Sequence, residues 1–152
     1  MTLRAWRIVK EKQASTALDG EGAWRYGGRW NSPGTRVVYT SDALSLAALE
    51  SLVHLNPPVI FRYVAIPIEF DAAWMESVGM SELPAGWTEE PPPPSTKRIG
   101  DSWVKEGRSA VLEVPSVVVR SERNYLRNPA HQDFGRIKVG EAVPFAFDPR
   151  LL

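Results

Sequence analysis

The stretch Gly-Gly-Arg-Trp-Asn at residues 27–31 lies shortly before Val-Val-Tyr-Thr at residues 37–40, and these two segments set the first expectations for the fold. The valines and the tyrosine predict a short strand, so Arg29 belongs to the loop that precedes it. The glycines free the backbone around Arg29, whose guanidinium with five donors suits a phosphate or pyrophosphate. Arg29 is thus either an anion clamp, with Trp30 as an aromatic wall, or a surface arginine in a salt bridge.

The composition is that of an ordinary globular domain. The chain has 152 residues, 43% of them hydrophobic and 24% charged, which fits one domain over residues 1–152. It has no cysteine, which removes disulfides and cysteine zinc sites. Eighteen basic and eighteen acidic side chains balance, so no global positive field favours nucleic-acid binding. Neither a signal peptide nor a membrane span is predicted, and we expect a cytoplasmic protein.

The first half of the chain predicts three strands, with a helix between the second, which contains Tyr39, and the third. Apolar residues alternate over residues 3–9 and 59–68, which is typical of strands. The helix is expected to be capped by Ser41 or Asp42 and to stop at Asn-Pro-Pro, residues 56–58.

The middle of the chain is less regular. One or two helical turns are expected over residues 71–78. The four prolines at residues 91–94 predict a polyproline-like surface connection, since neither a helix nor a central strand accommodates them. A helix capped by Ser95 is expected to run to Gly107, weakened by about 1 kcal/mol at Gly100 relative to alanine.

The last third of the chain predicts several short strands. They cover residues 109–114, 117–120, 135–139 and 143–147, with a turn-rich loop over residues 124–131. The resulting order of strands and helices predicts an α+β fold, a single domain with a mixed β-sheet and flanking helices.

Glu50 is a candidate functional residue because of its place in the first helix. Its helical neighbours Leu46, Ala47 and Val53 are apolar, and an unpaired carboxylate among them would be costly. A site that needs a carboxylate beside developing positive charge would explain this placement. The alternative is a glutamate at the helix edge that reaches solvent or pairs with His54.

Tyr39 and Ser109 are further candidates, each with a structural alternative. Tyr39 is either a half-buried core residue or a functional one, which would serve as a platform for a flat ring or direct its hydroxyl at a ribose. Ser109 either binds a phosphate or an amide or simply opens a strand. A serine-hydrolase nucleophile is disfavoured because no nucleophile elbow is present, and His54 and His131 lack the spacing of a metal site. Neither a Walker loop nor a dinucleotide-binding glycine motif occurs.

Taken together, the motifs resemble the RES domain over nearly the whole chain. They are Trp-Arg at 6–7, Gly-Gly-Arg-Trp-Asn at 27–31, Val-Tyr at 38–39, Ala-Leu-Glu-Ser-Leu-Val-His at 48–54, Gly-Arg-Ser-Ala at 107–110, Val-Pro-Ser at 114–116, Asn-Tyr-Leu-Arg-Asn-Pro-Ala-His at 124–131 and Phe-Asp-Pro-Arg-Leu at 147–151. The family is named after an arginine, a glutamate and a serine, and we match these to Arg29, Glu50 and Ser109.

The resemblance implies the toxin half of a bacterial toxin–antitoxin pair, with a fold similar to ADP-ribosyltransferases and a site that attacks NAD. It also implies an Xre-type antitoxin with a helix-turn-helix domain, which would cover the active site and form a hetero-oligomer with the toxin. The toxin itself is expected neither to bind DNA nor to contact a membrane. NAD would be the substrate, with no cofactor or metal. Trp30 and Asn124 are expected to contact it.

Each residue of the set then has an implied role. Arg29 would hold the pyrophosphate, and Tyr39 would position the nicotinamide ribose or ring. Glu50 would stabilise an oxocarbenium-like state or bind the ribose hydroxyls. Ser109 would hydrogen-bond a phosphate or the carboxamide.

Two other functions stay open at this point. The first is an ADP-ribosyltransferase that modifies one cellular protein, although the Glu-x-Glu pair of arginine-specific transferases is absent from the sequence. The second is a non-catalytic module that binds a nucleotide or RNA. Apolar surface around Trp24, Trp30 and the proline run is the expected antitoxin face.

Overall fold

The computed structural model describes residues 1–54 and 62–152, so the predicted helix stop at residues 56–58 and the start of the strand predicted from residue 59 lie outside the described residues. The described chain contains three α-helices and eight strands. The helices are α1 (Glu21–Tyr26), α2 (Leu44–Leu52) and α3 (Pro94–Glu106). The strands are β1 (Thr2–Lys10), β2 (Val38–Ser41), β3 (Tyr63–Asp71), β4 (Met75–Ser77), β5 (Val111–Pro115), β6 (Arg123–Arg127), β7 (Lys138–Val139) and β8 (Val143–Phe145).

The strands form one mixed sheet in the order β4-β5-β6-β2-β1-β3-β7, and β8 also pairs with β3. The pair β4–β5 is parallel, and the other described pairs are antiparallel. Strand β2 lies near the centre, where Ser41 pairs with Trp6 on one side and with Asn124 on the other. The predicted α+β fold, a single domain with a mixed sheet and flanking helices, is confirmed.

Each face of the sheet buries its own hydrophobic cluster. One face packs Leu112 and Leu126 against Trp103 of α3. The opposite face packs Val111 and Tyr125 in a second cluster that includes residues of β1 and β3. Because successive side chains of a strand point to opposite faces, neighbouring residues of β5 and β6 serve both clusters.

Helix α3 approaches the loop of residues 27–31 closely. A Cβ at Gly100 would lie only 1.7 Å from the carbonyl oxygen of Trp30, a distance that no side chain tolerates. The glycine expected to weaken this helix is therefore what allows the helix and the loop to touch.

Two side chains one turn of α3 apart also hold this loop. The Nζ of Lys97 donates to the carbonyl oxygen of Gly28 at 2.8 Å. The backbone N–H of Ser32 donates to Oδ1 of Asp101 at 2.8 Å. Together with Gly100, these residues occupy helix positions i, i+3 and i+4, so one face of α3 is dedicated to the loop.

The segment 124–131, predicted to be a loop, contributes strand β6 at the centre of the sheet. The sequence did not predict this strand because it is rich in polar residues. Asn124 bonds Glu50, and Arg127 is buried against the ring of Phe134, 4.4 Å from its centroid. Pairing with β2 and β5 outweighs the low strand propensity of asparagine.

Residues 117–120, predicted to be a strand, form a turn instead. The Oγ of Ser116 accepts the backbone N–H groups of Val118 and Val119 at 3.0 and 3.1 Å, which bends the chain away from an extended path. Residues 71–78 likewise contain one 3₁₀ turn, Ala72–Trp74, before β4. The strands predicted near the carboxyl end shorten to β7 and β8.

Helices α2 and α3 begin differently from the sequence prediction. Neither Ser41 nor Asp42 caps α2, whose capping position is Ala43 and has no side-chain hydrogen bond. Helix α3 begins at Pro94 and ends, as predicted, at Gly107, which has a φ of 61°. None of the helices in the described part of the chain is long and apolar enough to cross a membrane.

Gly100→Ala is expected to destabilise the protein strongly, because the new methyl group would force α3 away from the backbone of Trp30. Overpacking of this kind costs roughly 1–3 kcal/mol or more. Urea unfolding measures the loss. Gly22→Ala in α1 is the matched control, because a Cβ there would meet nothing within 4 Å. Equal stability of the two variants would contradict the close contact.

Candidate functional site

The carboxylate of Glu50 is held by two side chains from the second half of the chain, Ser116 directly after β5 and Asn124 of β6. Its Oε1 accepts a hydrogen bond from Ser116 Oγ at 2.7 Å and one from Asn124 Nδ2 at 2.8 Å. Within residues 1–54 and 62–152 nothing bonds its second oxygen, Oε2, and the side chain is half-buried. The carboxylate is therefore oriented through one oxygen and offers the other to a ligand.

The orientation of Asn124 is itself fixed by a neighbour. The Oγ of Ser41 donates to Asn124 Oδ1 at 2.7 Å, so the amide nitrogen is turned toward Glu50. Ser116 is fixed in the same way, because its Oγ accepts two backbone N–H groups of the turn that follows β5. Its own hydroxyl hydrogen is then left for the carboxylate.

Three exposed apolar side chains lie near Glu50 in the chain or in the turn that holds Ser116, and they are called the apolar rim below. Leu49 of α2 and Val53, directly after α2, are 38% and 60% exposed, and Val118 of the turn is 37% exposed. Glu50 bonds Ser116 and Asn124, and it does not make the pair with His54 that was one form of the alternative interpretation. An acid with one free oxygen inside an apolar rim is suited to a ligand that is both polar and flat.

Arg29 is held by hydrogen bonds to residues 87–90, the segment just before the prolines. Its Nη1 donates to the carbonyl oxygens of Trp87 and Glu89 at 3.0 and 2.7 Å, and its Nη2 donates to Glu90 Oε2 at 2.7 Å. The Arg29 side chain is 14% exposed. Within the described part of the chain, three of its five donor hydrogens are used, which leaves two for an anion.

Tyr39 ties the loop of Arg29 to the sheet. Its hydroxyl accepts the backbone N–H of Trp30 at 3.1 Å and donates to Asn31 Oδ1 at 2.6 Å. Burial raises the pKa of Tyr39 well above its ordinary value, and the hydrogen bond from Trp30 opposes this rise. The phenol stays protonated as a structural donor, and a Cβ at Gly28 would meet its oxygen at 2.6 Å.

Trp30 does not form the exposed wall or docking surface expected from the sequence. It is 2% exposed and packs in the cluster beneath α3. Trp24 is 41% exposed, so it alone of the two indoles contributes to the surface. The ring of Trp30 supports the loop from inside, which is a positioning role.

Ser109 is not brought to the other candidates. Its Oγ accepts from Trp103 Nε1 and donates to the carbonyl oxygen of Val111, both at 2.8 Å. It precedes β5, whereas the serine that reaches Glu50 is Ser116, directly after the same strand. The sequence signal for Ser116 was its place in Val-Pro-Ser at residues 114–116, which the sequence analysis noted without assigning it a role.

Strand β2 joins the two parts of the candidate site. Tyr39 and Ser41 are two residues apart and therefore point to the same face of the sheet, about 7 Å from each other. Tyr39 holds the loop of Arg29, and Ser41 holds Asn124 and through it Glu50. No group of three or more metal-binding side chains occurs among the described residues.

Comparison with known proteins places this arrangement in a family. The model of the RES domain matches residues 4–148. The chain belongs to the RES domain family. A relative from Sphingobium sp. (strain YBL2), called Prs ADP-ribosylating toxin, is 38% identical over 100% of this chain and 98% of its own length. A second RES relative, Toxin Res of Yersinia enterocolitica, is 35% identical over 96% of this chain and 97% of its own.

The same fold occurs in a solved structure. The crystal structure of the M. tuberculosis MbcT–MbcA toxin–antitoxin complex contains a chain that superposes with a TM-score of 0.72. The match covers 95% of the RES chain described above and 85% of the other, at 16% sequence identity. At this identity the likeness concerns the fold.

Tyr39→Phe is expected to lower the free energy of unfolding by about 1–3 kcal/mol at neutral pH, because Trp30 N–H and Asn31 Oδ1 lose a buried partner. The raised pKa adds a pH dependence. Above pH ~10 the unfolded phenol ionises and the folded one does not, so wild-type stability falls with pH. Tyr39→Phe has no phenol to ionise at residue 39, so its stability does not show this part of the decrease with pH.

Urea unfolding at neutral pH and above pH ~10 tests both effects. The gap between wild type and variant should narrow as the pH rises. A constant gap across this range would show that the hydroxyl does not titrate as its burial requires.

Proposed function

We propose that this RES protein is the toxin of a toxin–antitoxin pair and that it cleaves the nicotinamide–ribose bond of NAD, which depletes NAD and arrests growth. The observation that carries the proposal is the Glu50 carboxylate, with Oε1 fixed by two donors and Oε2 free. Family membership and two toxin-named relatives of nearly equal length support it.

The chemistry asks little of the protein beyond charge and positioning. The bond between ribose C1′ and the pyridinium nitrogen breaks, and its electron pair leaves with nicotinamide, which becomes neutral. The ribose passes through an oxocarbenium-like state that a fixed carboxylate stabilises. Water or phosphate then forms a bond to C1′ and releases its proton to solvent. NAD is the substrate here, and no cofactor or metal takes part.

The side chains act on two parts of NAD, the nicotinamide ribose and the pyrophosphate. Glu50 stabilises the positive charge at the ribose or binds its hydroxyls through Oε2, and Asn124 has a second amide hydrogen for the substrate. Arg29 binds the pyrophosphate with the guanidinium donors that its two backbone contacts leave. Tyr39 and Trp30 position the loop that carries Arg29. Ser116 orients Glu50. Ser109, which was expected to hydrogen-bond a phosphate or the carboxamide, bonds Trp103 and Val111 instead.

The proposed partner is an Xre-type antitoxin with a helix-turn-helix domain, which would contribute the DNA binding of the pair in the cytoplasm. The solved structure with the same fold is a toxin–antitoxin complex, which supports a protein partner of this kind. The apolar rim formed by Leu49, Val53 and Val118 is the surface we assign to it, since a partner there would cover Glu50.

Glu50→Gln is expected to reduce nicotinamide release from NAD at least ~100-fold, because the amide keeps the shape of the carboxylate but cannot stabilise positive charge. Free nicotinamide is measured with and without phosphate. Ser116→Ala should reduce it about tenfold by loosening the carboxylate. Ser109→Ala is the control: its expected effect is a loss of ~1 kcal/mol in stability with release unchanged.

Absence of nicotinamide release by the wild type under both conditions, and of any labelled acceptor in lysate, would refute an enzymatic function. It would leave the non-catalytic nucleotide or RNA module as the better description. Full activity of Glu50→Gln would refute only the role of the carboxylate and would leave the proposed NAD reaction standing.

A second candidate function is the transfer of ADP-ribose to one cellular protein. The name of the Sphingobium relative, Prs ADP-ribosylating toxin, favours it. Both functions share the cleavage of the nicotinamide bond and differ in the acceptor. Labelled NAD incubated with lysate separates them, since transfer marks one protein band and hydrolysis or phosphorolysis leaves the label in small molecules.

A further inference from the structure

Without a ligand, the guanidinium of Arg29 already holds a carboxylate. Its Nη2 donates to Glu90 Oε2 at 2.7 Å, a short charge-assisted hydrogen bond. The two partners differ greatly in burial: the Arg29 side chain is 14% exposed and that of Glu90 is 71% exposed. One partner is thus fixed in the protein, and the other can rotate into water.

The remaining contacts of Arg29 explain why the arginine stays in place. Its Nη1 donates to the backbone carbonyl oxygens of Trp87 and Glu89, which no side-chain substitution removes. Trp87 is anchored in the cluster beneath α3, and this helix begins at Pro94. Release of the Glu90 carboxylate therefore needs a side-chain rotation and no movement of the segment.

We propose that Glu90 competes with the pyrophosphate of the substrate for Arg29 and so sets the affinity of the site for phosphate-bearing ligands. Carboxylate and phosphate oxygens bind a guanidinium with the same geometry, so an incoming phosphate would take the position that Glu90 holds. This inference rests on the proposed role of Arg29 as the pyrophosphate-binding residue.

The size of the effect follows from the exposure of Glu90. Exposed ion pairs contribute little, and their loss corresponds to an affinity change of about two- to fivefold. Removal of the negative charge at residue 90 also leaves the mostly buried Arg29 without a counter-charge, which strengthens its attraction for an anion. The effect is expected only for ligands that carry phosphate.

Glu90→Gln is therefore expected to bind inorganic pyrophosphate and ADP-ribose about two- to fivefold more tightly than the wild type, as measured by titration calorimetry. With NAD as substrate, KM should fall by a similar factor and kcat should stay the same. Nicotinamide riboside, which has no phosphate, should show no change. The difference between the proteins should shrink as salt is added.

Glu89→Gln is the matched control for a lost charge in this segment. It keeps the backbone carbonyl that binds Arg29, and its own carboxylate lies toward Gly86, where a Cβ would be 2.7 Å from Oε1. Glu90→Asp is a second variant, which keeps the charge but shortens the reach to Arg29 and should bind pyrophosphate with intermediate affinity.

Equal pyrophosphate affinity of wild type and Glu90→Gln, an equal gain in Glu89→Gln, or no binding of pyrophosphate by any of them would overturn the inference. These outcomes are separable from a failure of the proposed function. Tighter pyrophosphate binding by Glu90→Gln without any NAD cleavage would support Glu90 as the competitor and refute the NAD reaction. NAD cleavage by Glu90→Gln with the same KM as the wild type would support the NAD reaction and refute Glu90 as the competitor.

Discussion

The hydroxyl of Tyr39 is the contact on which the Arg29 part of the candidate site depends. It is the point where a glycine-rich loop, with no regular structure of its own, is fastened to the centre of the sheet. Its bond to the backbone of Trp30 fixes the residue next to Arg29, so the position of Arg29 depends on strand β2. Burial raises the pKa of the Tyr39 phenol, so the hydroxyl stays protonated and can keep donating to Asn31.

The carboxylate of Glu50 is positioned by a different principle. A helix places it near the sheet, but its orientation comes from hydroxyl and amide groups of the strands, in the chain Ser41 to Asn124 to Glu50 and from Ser116. Both hydrogen bonds to the carboxylate, from Ser116 and from Asn124, end on Oε1. Because the other oxygen is left out of the network, the same contacts that hold the acid also keep it available, as a preorganised electrostatic site requires.

Much of the fold could be predicted from local patterns, and the missed central strand shows where such patterns fail. Strand β1 and helix α3 are indicated by apolar periodicity and by the glycine stop at Gly107. Strand β6 is not, because its polar residues make their contacts outside the strand: Asn124 bonds Glu50 on α2, and Arg127 packs on the ring of Phe134. Sequence shows residue types and spacing, whereas pairing across the sheet decides whether a polar segment becomes a central strand.

The candidate site shows the same division. Arg29, Glu50 and Asn124 were recognisable by residue type and family resemblance, and the structure adds what each one touches. Glu50 and Asn124 do meet. That Glu90 sits on Arg29 was not predictable, since 61 residues separate them and an exposed glutamate before a proline run has no local signature.

The two serines that flank β5 show most directly where sequence reasoning must stop. Ser109 and Ser116 are the same residue type in motifs of similar quality, one before and one after a strand of five residues. Seven residues of nearly extended chain separate their Cα atoms by roughly 20 Å, so only one of them can reach Glu50. The choice is made by the direction of the strand relative to α2, which is a property of the whole sheet. Ser109 bonds Trp103, which lies in the core beneath α3, and Ser116 bonds the acid. A serine's chemistry in this protein is therefore assigned by topology, and residue type alone could not have done it.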